Sequence, residues 1–369
     1  MSESSSSFGT FFLPGPTEVR EEILRAMARP MMSHRGPEFG ALFQRVQRGL
    51  KNVFGTMRPV FISTSSATGL MEAGVRCSPP GRVLSLVNGA FSERFAHISE
   101  NCGREVDRYT VEWGDVHDLG EVAKRLAAKQ YAVVTVVHSD TSSGALNDVQ
   151  AITGVAHQFG AMCIVDSVSG VGGAELCFDA WGMDYVFTGS QKAIAIPPGL
   201  AFAAASEDFM RRLHQAGTAA TERRGAYFDL IEYEEHVRDG YAPNTPAISL
   251  YYALDAQLES ITAETMPVRW ARHRTMAART AQWVDDMKSS SRSDIHILAR
   301  DGHRSPTVST IMLPDGMTSD QVTRSVAERG ISVGTGYGKL KESAIRIGHM
   351  GDHTPATLER CLDACTAAL

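Results

Sequence analysis

The chain has 369 residues, of which 43% are hydrophobic, and its 36 lysines and arginines are nearly balanced by 42 aspartates and glutamates. This balance, a net charge of −6, argues against the strongly basic surface that nucleic-acid binding normally requires. No apolar run approaches the roughly 18 residues that a membrane span needs, so the composition predicts a soluble globular protein of two domains.

Short apolar runs alternate with helical patterns in the first part of the chain. Six runs have the length of buried strands, and turn residues flank them at residues 60–62, 83–87, 132–137, 161–165, 185–187 and 200–204. Amphipathic patterns at 121–129 and 152–159 predict helices between them. Strands joined by helices predict an α/β fold with a mostly parallel central sheet covered by helices, in which ligands bind at the carboxyl ends of the strands.

After about residue 250 the pattern changes to long helices followed by a smaller α+β unit. The predicted helices cover residues 248–258, 268–287, 319–328 and 357–367, and the predicted strands cover 295–298, 307–313 and 344–347. We therefore divide the chain into an N-terminal arm (1–15), a large domain (16–250) and a small C-terminal domain (251–369).

The six cysteines form no Cys-x-x-Cys pair, and Cys163 lies inside an apolar run, where a thiol behaves as a small hydrophobic group. Residues 1–7 lack the basic and apolar regions of a secretory signal. We therefore expect a cytoplasmic location and no metal site.

Lys192 is the most informative single residue, because it follows an apolar strand and precedes the turn sequence Pro197-Pro198-Gly199. A lysine amine is a nucleophile near neutral pH only when burial or a neighbouring cation destabilises its ammonium form. Taken alone, the residue could equally be a solvated loop lysine. A second feature favours the functional interpretation, because Asp166 follows the predicted strand at 161–165 and one site could hold both side chains.

Together, Lys192 and Asp166 suit pyridoxal 5'-phosphate (PLP), whose aldehyde condenses with a lysine amine and whose ring nitrogen stays protonated beside a carboxylate. The cationic ring accepts electrons from a substrate carbon that has lost its proton. The structural alternative for Asp166 is a helix N-cap, which is common for aspartate after a strand.

Three further segments could complete such a site, and each also has a structural explanation. Ser66-Ala67-Thr68 opens a helical pattern, where a phosphate can bind but where serine and threonine also serve as simple N-caps. Phe91 could stack on a flat ring or pack in the core. A hydroxyl in the segment 138–144 could bind a phenolic oxygen, or the segment could only form turns.

Sequence motifs along the chain carry a family resemblance. They are Pro14-Gly15-Pro16-Thr17, Ser33-His34-Arg35, Asp166-Ser167-Val168, Ser190-Gln191-Lys192-Ala193, Pro246-Ala247-Ile248-Ser249-Leu250-Tyr251 and Arg346-Ile347-Gly348-His349-Met350-Gly351. With these motifs the chain resembles the class V aminotransferases of PLP fold type I, and within them the alanine/serine–glyoxylate aminotransferase group. The resemblance runs from Pro14 to the last predicted helix.

The resemblance implies a role for each matching residue around the PLP ring. Lys192 would bind the aldehyde, Asp166 the ring nitrogen and Thr141 the ring's O3′. Val168 and Phe91 would pack on opposite faces of the ring.

The resemblance also implies a phosphate site shared between two subunits. Its residues would be Ser66, Ala67, Thr68 and Gln191 of one subunit, with Tyr241 and either Asn244 or Thr245 contributed by the partner subunit. This arrangement implies a homodimer with shared active sites.

Arg346 would bind the substrate carboxylate, because a planar guanidinium donates two parallel hydrogen bonds to such a group. The alternative is a surface ion pair. Surface pairs contribute little to stability and would not need a position between Ile345 and Ile347, so we favour the functional interpretation.

These features predict a ping-pong transamination, in which a small amino acid (alanine or serine) gives its amino group and a small 2-oxo acid (glyoxylate or pyruvate) receives it. Lys192 would be the general base. Transamination of 2-aminoethylphosphonate or ureidoglycine by the same superfamily is an open alternative. A cysteine desulfurase-like lyase is less favoured, because residues 334–342 contain no cysteine. A non-catalytic PLP-binding protein is also less favoured, because Lys192 and Arg346 are both present.

Overall fold

The computed structural model describes residues 8–216, 224–290 and 294–369. The strands in these ranges are β1 (Phe11–Phe12), β2 (Val60–Ser63), β3 (Val83–Val87), β4 (Val106–Thr110), β5 (Val133–Val137), β6 (Ser139–Asp140), β7 (Ala145–Leu146), β8 (Met162–Asp166), β9 (Tyr185–Gly189), β10 (Ala201–Ala205), β11 (His296–Ile297), β12 (Ser309–Met312), β13 (Ser332–Thr335) and β14 (Ala344–Ile347). The helices are α1 (Glu21–Ala26), α2 (Pro37–Phe54), α3 (Ala67–Cys77), α4 (Ala90–Asn101), α5 (Leu119–Ala128), α6 (Val149–Gln158), α7 (Glu207–Gln215), α8 (Leu230–Arg238), α9 (Ile248–Glu264), α10 (Met266–Ser289), α11 (Ser319–Ala327) and α12 (Pro355–Thr366).

A seven-stranded sheet in the order β2-β10-β9-β8-β5-β3-β4 forms the centre of the fold. Its strand pairs are parallel except for the two made by β10, which runs antiparallel to both β2 and β9. All six strands predicted for this region exist, and the expectation of an α/β fold with a mostly parallel sheet is confirmed. The edge strand β4 was not predicted because its residues are only half-buried or exposed.

Both faces of the central sheet are covered by helices, which explains the continuous apolar runs of its strands. Val134 and Val136 of β5 pack into one core with α2, α5, α6 and α9. Val133 and Val137 point the other way, into a second core with α3, α4, α7 and α8. The parallel direction of β3, β4, β5, β8 and β9 places their carboxyl ends at one edge of the sheet, where the loops can carry functional groups.

A five-stranded sheet in the order β1-β13-β14-β12-β11 forms the second unit. Strand β1 is parallel to β13, and the other pairs are antiparallel. The N-terminal segment therefore adds a strand to the sheet that is otherwise made from the last part of the chain. The domain boundaries after residues 15 and 250 stay predictions, and residue 250 lies inside α9.

A buried ion pair network fixes the chain next to Lys192. Arg269 of α10 is 1% exposed and donates hydrogen bonds to the carbonyls of Gly172 (3.0 Å) and Ala193 (2.7 Å). Its guanidinium also pairs with Asp352, at 3.0 Å, beyond the end of β14. Removing one partner of such a buried pair typically costs about 3–5 kcal/mol, so the network holds the two sheets and the lysine segment in one arrangement.

Within the described ranges, none of the helices combines the length and the apolar character that crossing a lipid bilayer requires.

Candidate active site

One cavity of about 420 Å³ at the carboxyl ends of the central strands brings together nine of the residues selected from the sequence. They are Ser66, Ala67, Thr68, Phe91, Thr141, Asp166, Val168, Gln191 and Lys192. Each follows or ends a strand of the sheet: β2, β3, β5, β8 or β9. The parallel topology therefore gathers side chains that are far apart in the sequence.

Lys192 lies in the segment after β9 and is only 8% exposed, so it is not a solvated loop lysine. Its Nζ donates a short hydrogen bond to the carbonyl of Pro14. Burial and the positive charge of Arg346 lower the pKa of Lys192 to about 8, although Asp166 and Asp140 act in the opposite direction. An appreciable fraction of the amine is therefore neutral near physiological pH.

The N-terminal segment passes directly over this lysine. Gly15 has a φ of +114°, a conformation that favours glycine, and a side chain at this position would overlap the Lys192 side chain. In the sequence Pro14-Gly15-Pro16 served only as a marker of the family resemblance, whereas in the structure Gly15 and Pro16 line the cavity.

Asp166 is the last residue of β8 and is 3% exposed. Its Oδ1 accepts a hydrogen bond from the N–H of Val168 at 2.9 Å, and the residues that follow form turns rather than a regular helix. Burial raises the pKa of Asp166 to about 7, with a further increase from Asp140, while the Val168 N–H and Lys192 lower it. A cation bound beside this carboxyl would stabilise its ionised form.

His138 lies behind Asp166 and supports it. The N–H of His138 donates to the Asp166 carbonyl at 2.8 Å, and Nδ1 lies 2.9 Å from the hydroxyl of Ser167. Burial lowers the pKa of His138 to about 4, so the ring is neutral at physiological pH. The residue belongs to the segment 138–144 that the sequence indicated, but this supporting role depends on contacts that only the fold creates.

The segment Ser66-Ala67-Thr68 opens α3 at the cavity, and the Ser66 side chain makes no capping hydrogen bond. The first N–H groups of a helix have no acceptor inside the helix, and the helix dipole favours an anion at this end. Arg94 also lines the cavity, and its Nη2 donates to the Thr68 hydroxyl at 3.4 Å. The sequence reasoning missed Arg94, although its position three residues after Phe91 on a helix places both on one face.

Thr141 is buried, with its hydroxyl 2.5 Å from that of Ser169, a second cavity residue that the sequence did not single out. The neighbouring Asp140 is fully buried and was also missed. Its carboxylate accepts hydrogen bonds from the N–H and hydroxyl groups of Ser92 (both 3.2 Å) and Ser142 (2.9 and 2.6 Å). It therefore places a negative charge next to the loops that carry the site.

Arg346 of β14 lies beside the residues that line the cavity. Its Nε donates to the carbonyl of Thr335 at 2.8 Å and its Nη1 to the carbonyl of Thr141 at 3.1 Å. Burial lowers the pKa of Arg346 to about 10, against the opposing effects of Tyr337 and Asp140, so the group stays charged at neutral pH. No carboxylate in the described part of the chain forms an ion pair with it, so the surface ion pair alternative is wrong. The remaining guanidinium N–H groups are available to an anion.

Tyr241, Asn244 and Thr245 do not line the cavity of their own chain. They lie between α8 and α9, where Tyr241 is half-buried and the other two are exposed. The single chain therefore does not bring these three residues together with Lys192, and their contribution from a second subunit stays a prediction.

A family model, two relatives and a solved structure that match this chain are all named as aminotransferases. The family model for class-V aminotransferases matches residues 18–346. An uncharacterized aminotransferase of Methanocaldococcus jannaschii is 34% identical over 345 residues, which cover 92% of this chain and 87% of that protein. The L-aspartate–glyoxylate aminotransferase of Paracoccus denitrificans is 31% identical over 364 residues, covering 95% and 88%. The crystal structure of an alanine–glyoxylate aminotransferase from Nostoc sp. matches with a TM-score of 0.90 and 27% identity, over 100% of this chain and 96% of that one.

Proposed function

Because the chain belongs to the class-V aminotransferase family, we propose that it is a PLP-dependent aminotransferase whose active site is the cavity around Lys192. One observation carries this proposal. A buried lysine of lowered pKa, a buried carboxyl group and a helix N-terminus lie in one cavity, and beside it lies the Arg346 guanidinium, with which no carboxylate of the described residues forms an ion pair.

The residues present fit PLP. The N-terminus of α3 and Arg94 offer a site for the phosphate, and Asp166 offers a carboxylate for the ring nitrogen. Phe91 and Val168 supply apolar surface for the ring, as the family resemblance implies. When bound, PLP would supply an aldehyde that condenses with primary amines and a ring that stabilises negative charge on the adjacent carbon.

Each polar group of the site then has a defined task. Arg346 binds the carboxylate of the donor and orients it, because its own position is fixed by the Thr335 and Thr141 carbonyls. Lys192 would hold the PLP aldehyde until the donor's amino group displaces it, and the freed, neutral Lys192 amine would then take the proton from the donor's Cα. With PLP bound, Asp166 would be ionised and would keep the ring nitrogen protonated. The two half-reactions follow one another in a ping-pong order.

The substrates are a small amino acid, alanine or serine, and a small 2-oxo acid, glyoxylate or pyruvate. Glyoxylate recurs in the names of relatives whose amino donors differ, aspartate in one and alanine in another, which supports it as the acceptor. Transamination of ureidoglycine or 2-aminoethylphosphonate is the alternative within this chemistry. A desulfurase reaction finds no support, because no described residue lining the cavity is a cysteine.

The active protein is a homodimer in which the partner subunit completes the phosphate site through Tyr241 and either Asn244 or Thr245. The exposure of Asn244 and Thr245, outside the cavity of their own chain, supports this arrangement. A cytoplasmic location stays a prediction from the sequence.

The proposed function is tested by measuring each half-reaction separately on PLP-loaded protein with a set of amino donors. Without any acceptor, alanine or serine should yield about one equivalent of the matching 2-oxo acid per subunit, and glyoxylate should then restore the starting spectrum of the bound cofactor. The Lys192→Ala variant should bind PLP but not turn over. Absence of a carbonyl product (a 2-oxo acid, or the aldehyde in the case of 2-aminoethylphosphonate) from every donor tested, including ureidoglycine, would rule out the proposed function, as would full turnover by Lys192→Ala.

A further inference from the structure

Tyr337 contacts two groups of the proposed site that belong to different parts of the fold, Phe91 of α4 and Arg346 of β14. Its ring stacks on the ring of Phe91, with centroids 5.2 Å apart and an interplanar angle of 23°. The guanidinium carbon of Arg346 lies 5.5 Å from the centroid of the same ring. The tyrosine is 43% exposed, so its ring is in contact with solvent as well as with these two groups.

The backbone around Tyr337 is held in place, so this position is not that of a freely moving surface side chain. The next residue, Gly338, has a φ of +57°, and a Cβ added to it would lie 3.0 Å from the ring of Trp113. The ammonium group of Lys339 lies 4.8 Å from the centroid of that indole ring. The N–H of Leu340 donates to the Tyr337 carbonyl at 3.1 Å, which closes a short 3₁₀ turn over Trp113.

We propose that Tyr337 sets the upper size of the side chain that a donor amino acid can carry. The proposal rests on the proposed function, in which Arg346 fixes the donor carboxylate and Lys192 reaches its Cα. The third substituent of that carbon must then occupy the remaining space. Tyr337 lies next to this space, because its ring stacks on Phe91, which lines the cavity, and lies against the guanidinium of Arg346.

A narrower role for Tyr337 would be to orient Arg346 alone. In that case removing the ring would weaken binding of every carboxylate donor equally, seen as a common rise in KM, and the preference among donors would not change. A size limit instead changes the ratio of kcat/KM values between small and large donors, which a structural role alone would not alter.

The experiment compares Tyr337→Ala, Tyr337→Leu and Tyr337→Phe as PLP-loaded enzymes, with L-alanine, L-2-aminobutyrate, L-leucine and L-phenylalanine as donors. The preference for alanine over leucine should fall by about 10-fold or more in Tyr337→Ala, because a pocket discriminates each added methylene by about 10–200-fold. The preference of Tyr337→Leu for alanine over leucine should lie between those of the wild type and Tyr337→Ala. This variant keeps the test decisive if Tyr337→Ala does not fold. Tyr337→Phe should keep the wild-type preference.

The matched control is Phe159→Ala, because Phe159 is similarly exposed (38%) but lies at the end of α6, outside the cavity. It should leave the preference unchanged. An unchanged ratio in both Tyr337→Ala and Tyr337→Leu, or an equal loss for all donors, would overturn the inference while leaving the proposed function standing. Failure of the wild-type enzyme with every amino acid would overturn both.

Discussion

Lys192 and Asp166 are buried ionisable groups whose pKa values move towards each other, to about 8 and about 7. In both cases burial is the largest cause, since it disfavours the charged forms of an amine and a carboxylic acid alike. Such perturbed groups gathered in one cavity are typical of active sites rather than of structural ion pairs. Near physiological pH each group is therefore present in both its charged and its neutral form in appreciable fractions.

The raised pKa of Asp166 predicts a pH-dependent stability of the cofactor-free protein. The folded pKa is about 7 and the ordinary value is 3.8, so between these values the folded state binds more protons than the unfolded state. The stabilising effect of that proton is complete below pH 4 and is lost as the pH rises through 7. Between pH 5 and 7.5 the free energy of unfolding should therefore fall by about 2 kcal/mol more in the wild type than in Asp166→Asn.

The measurement is urea unfolding of the cofactor-free proteins at both pH values. Asp301→Asn is the control, because the Asp301 side chain is 92% exposed and its replacement should leave the wild-type pH dependence unchanged. If Asp166→Asn showed the same pH dependence as the wild type, the carboxyl group would not be the buried acid described here.

The sequence predicts the residues of the site whose roles follow from position along the chain. Lys192, Asp166 and Thr141 end or follow apolar strands, and that pattern is visible without a structure. Arg94 and Tyr337 could not be found in the same way, because their significance depends on which side chains they meet in space: the Thr68 hydroxyl for the first, and Phe91 and Arg346 for the second.

At the scale of elements, prediction succeeded where burial was complete. The strands β5, β8, β9 and β10 are buried throughout and read as continuous apolar runs. Three of the missed strands have weaker local signals. Strand β4 is partly exposed, β1 has only two residues and pairs with a strand from the other end of the chain, and β13 is a four-residue strand between β1 and β14. The antiparallel direction of β10 also follows from the tertiary path of the chain and not from its own sequence.

The prediction that two subunits share each active site can be tested at Tyr241, in the segment between α8 and α9. If Tyr241 serves the partner's cavity, Lys192→Ala and Tyr241→Ala, each inactive as a homodimer, should restore activity when their subunits are mixed by refolding. Half of the dimers would then be mixed and each would hold one intact site, giving about a quarter of the wild-type activity per subunit. Activity assays on the purified mixture provide the measurement.

A mixture of Lys192→Ala with Asp166→Ala is the control for this complementation, because both residues line the same cavity of one chain and no mixed dimer contains an intact site. It should stay inactive. Inactivity of the Tyr241 mixture as well, with mixed dimers demonstrated, would place Tyr241 in the site of its own chain and contradict the shared arrangement.

At the scale of the whole molecule, the proposed site is built from three distant parts of the chain. The central sheet supplies Lys192, Asp166 and the start of α3, the smaller sheet supplies Arg346, and the N-terminal segment covers the lysine through Gly15. The sequence predicts the α/β class and two units that both contribute residues to the site. The pairing of β1 with β13 and the buried Arg269 network, which fix how the units meet, depend on long-range contacts that no local pattern encodes.

We propose that Lys192 is the residue that binds PLP covalently. The most direct measurement is borohydride reduction of the PLP-loaded protein, followed by proteolysis and mass spectrometry of the peptides. We expect a phosphopyridoxyl group on Lys192 at about one per subunit and none in the Lys192→Ala variant. An unlabelled Lys192, or the same label on a different lysine in both proteins, would contradict it.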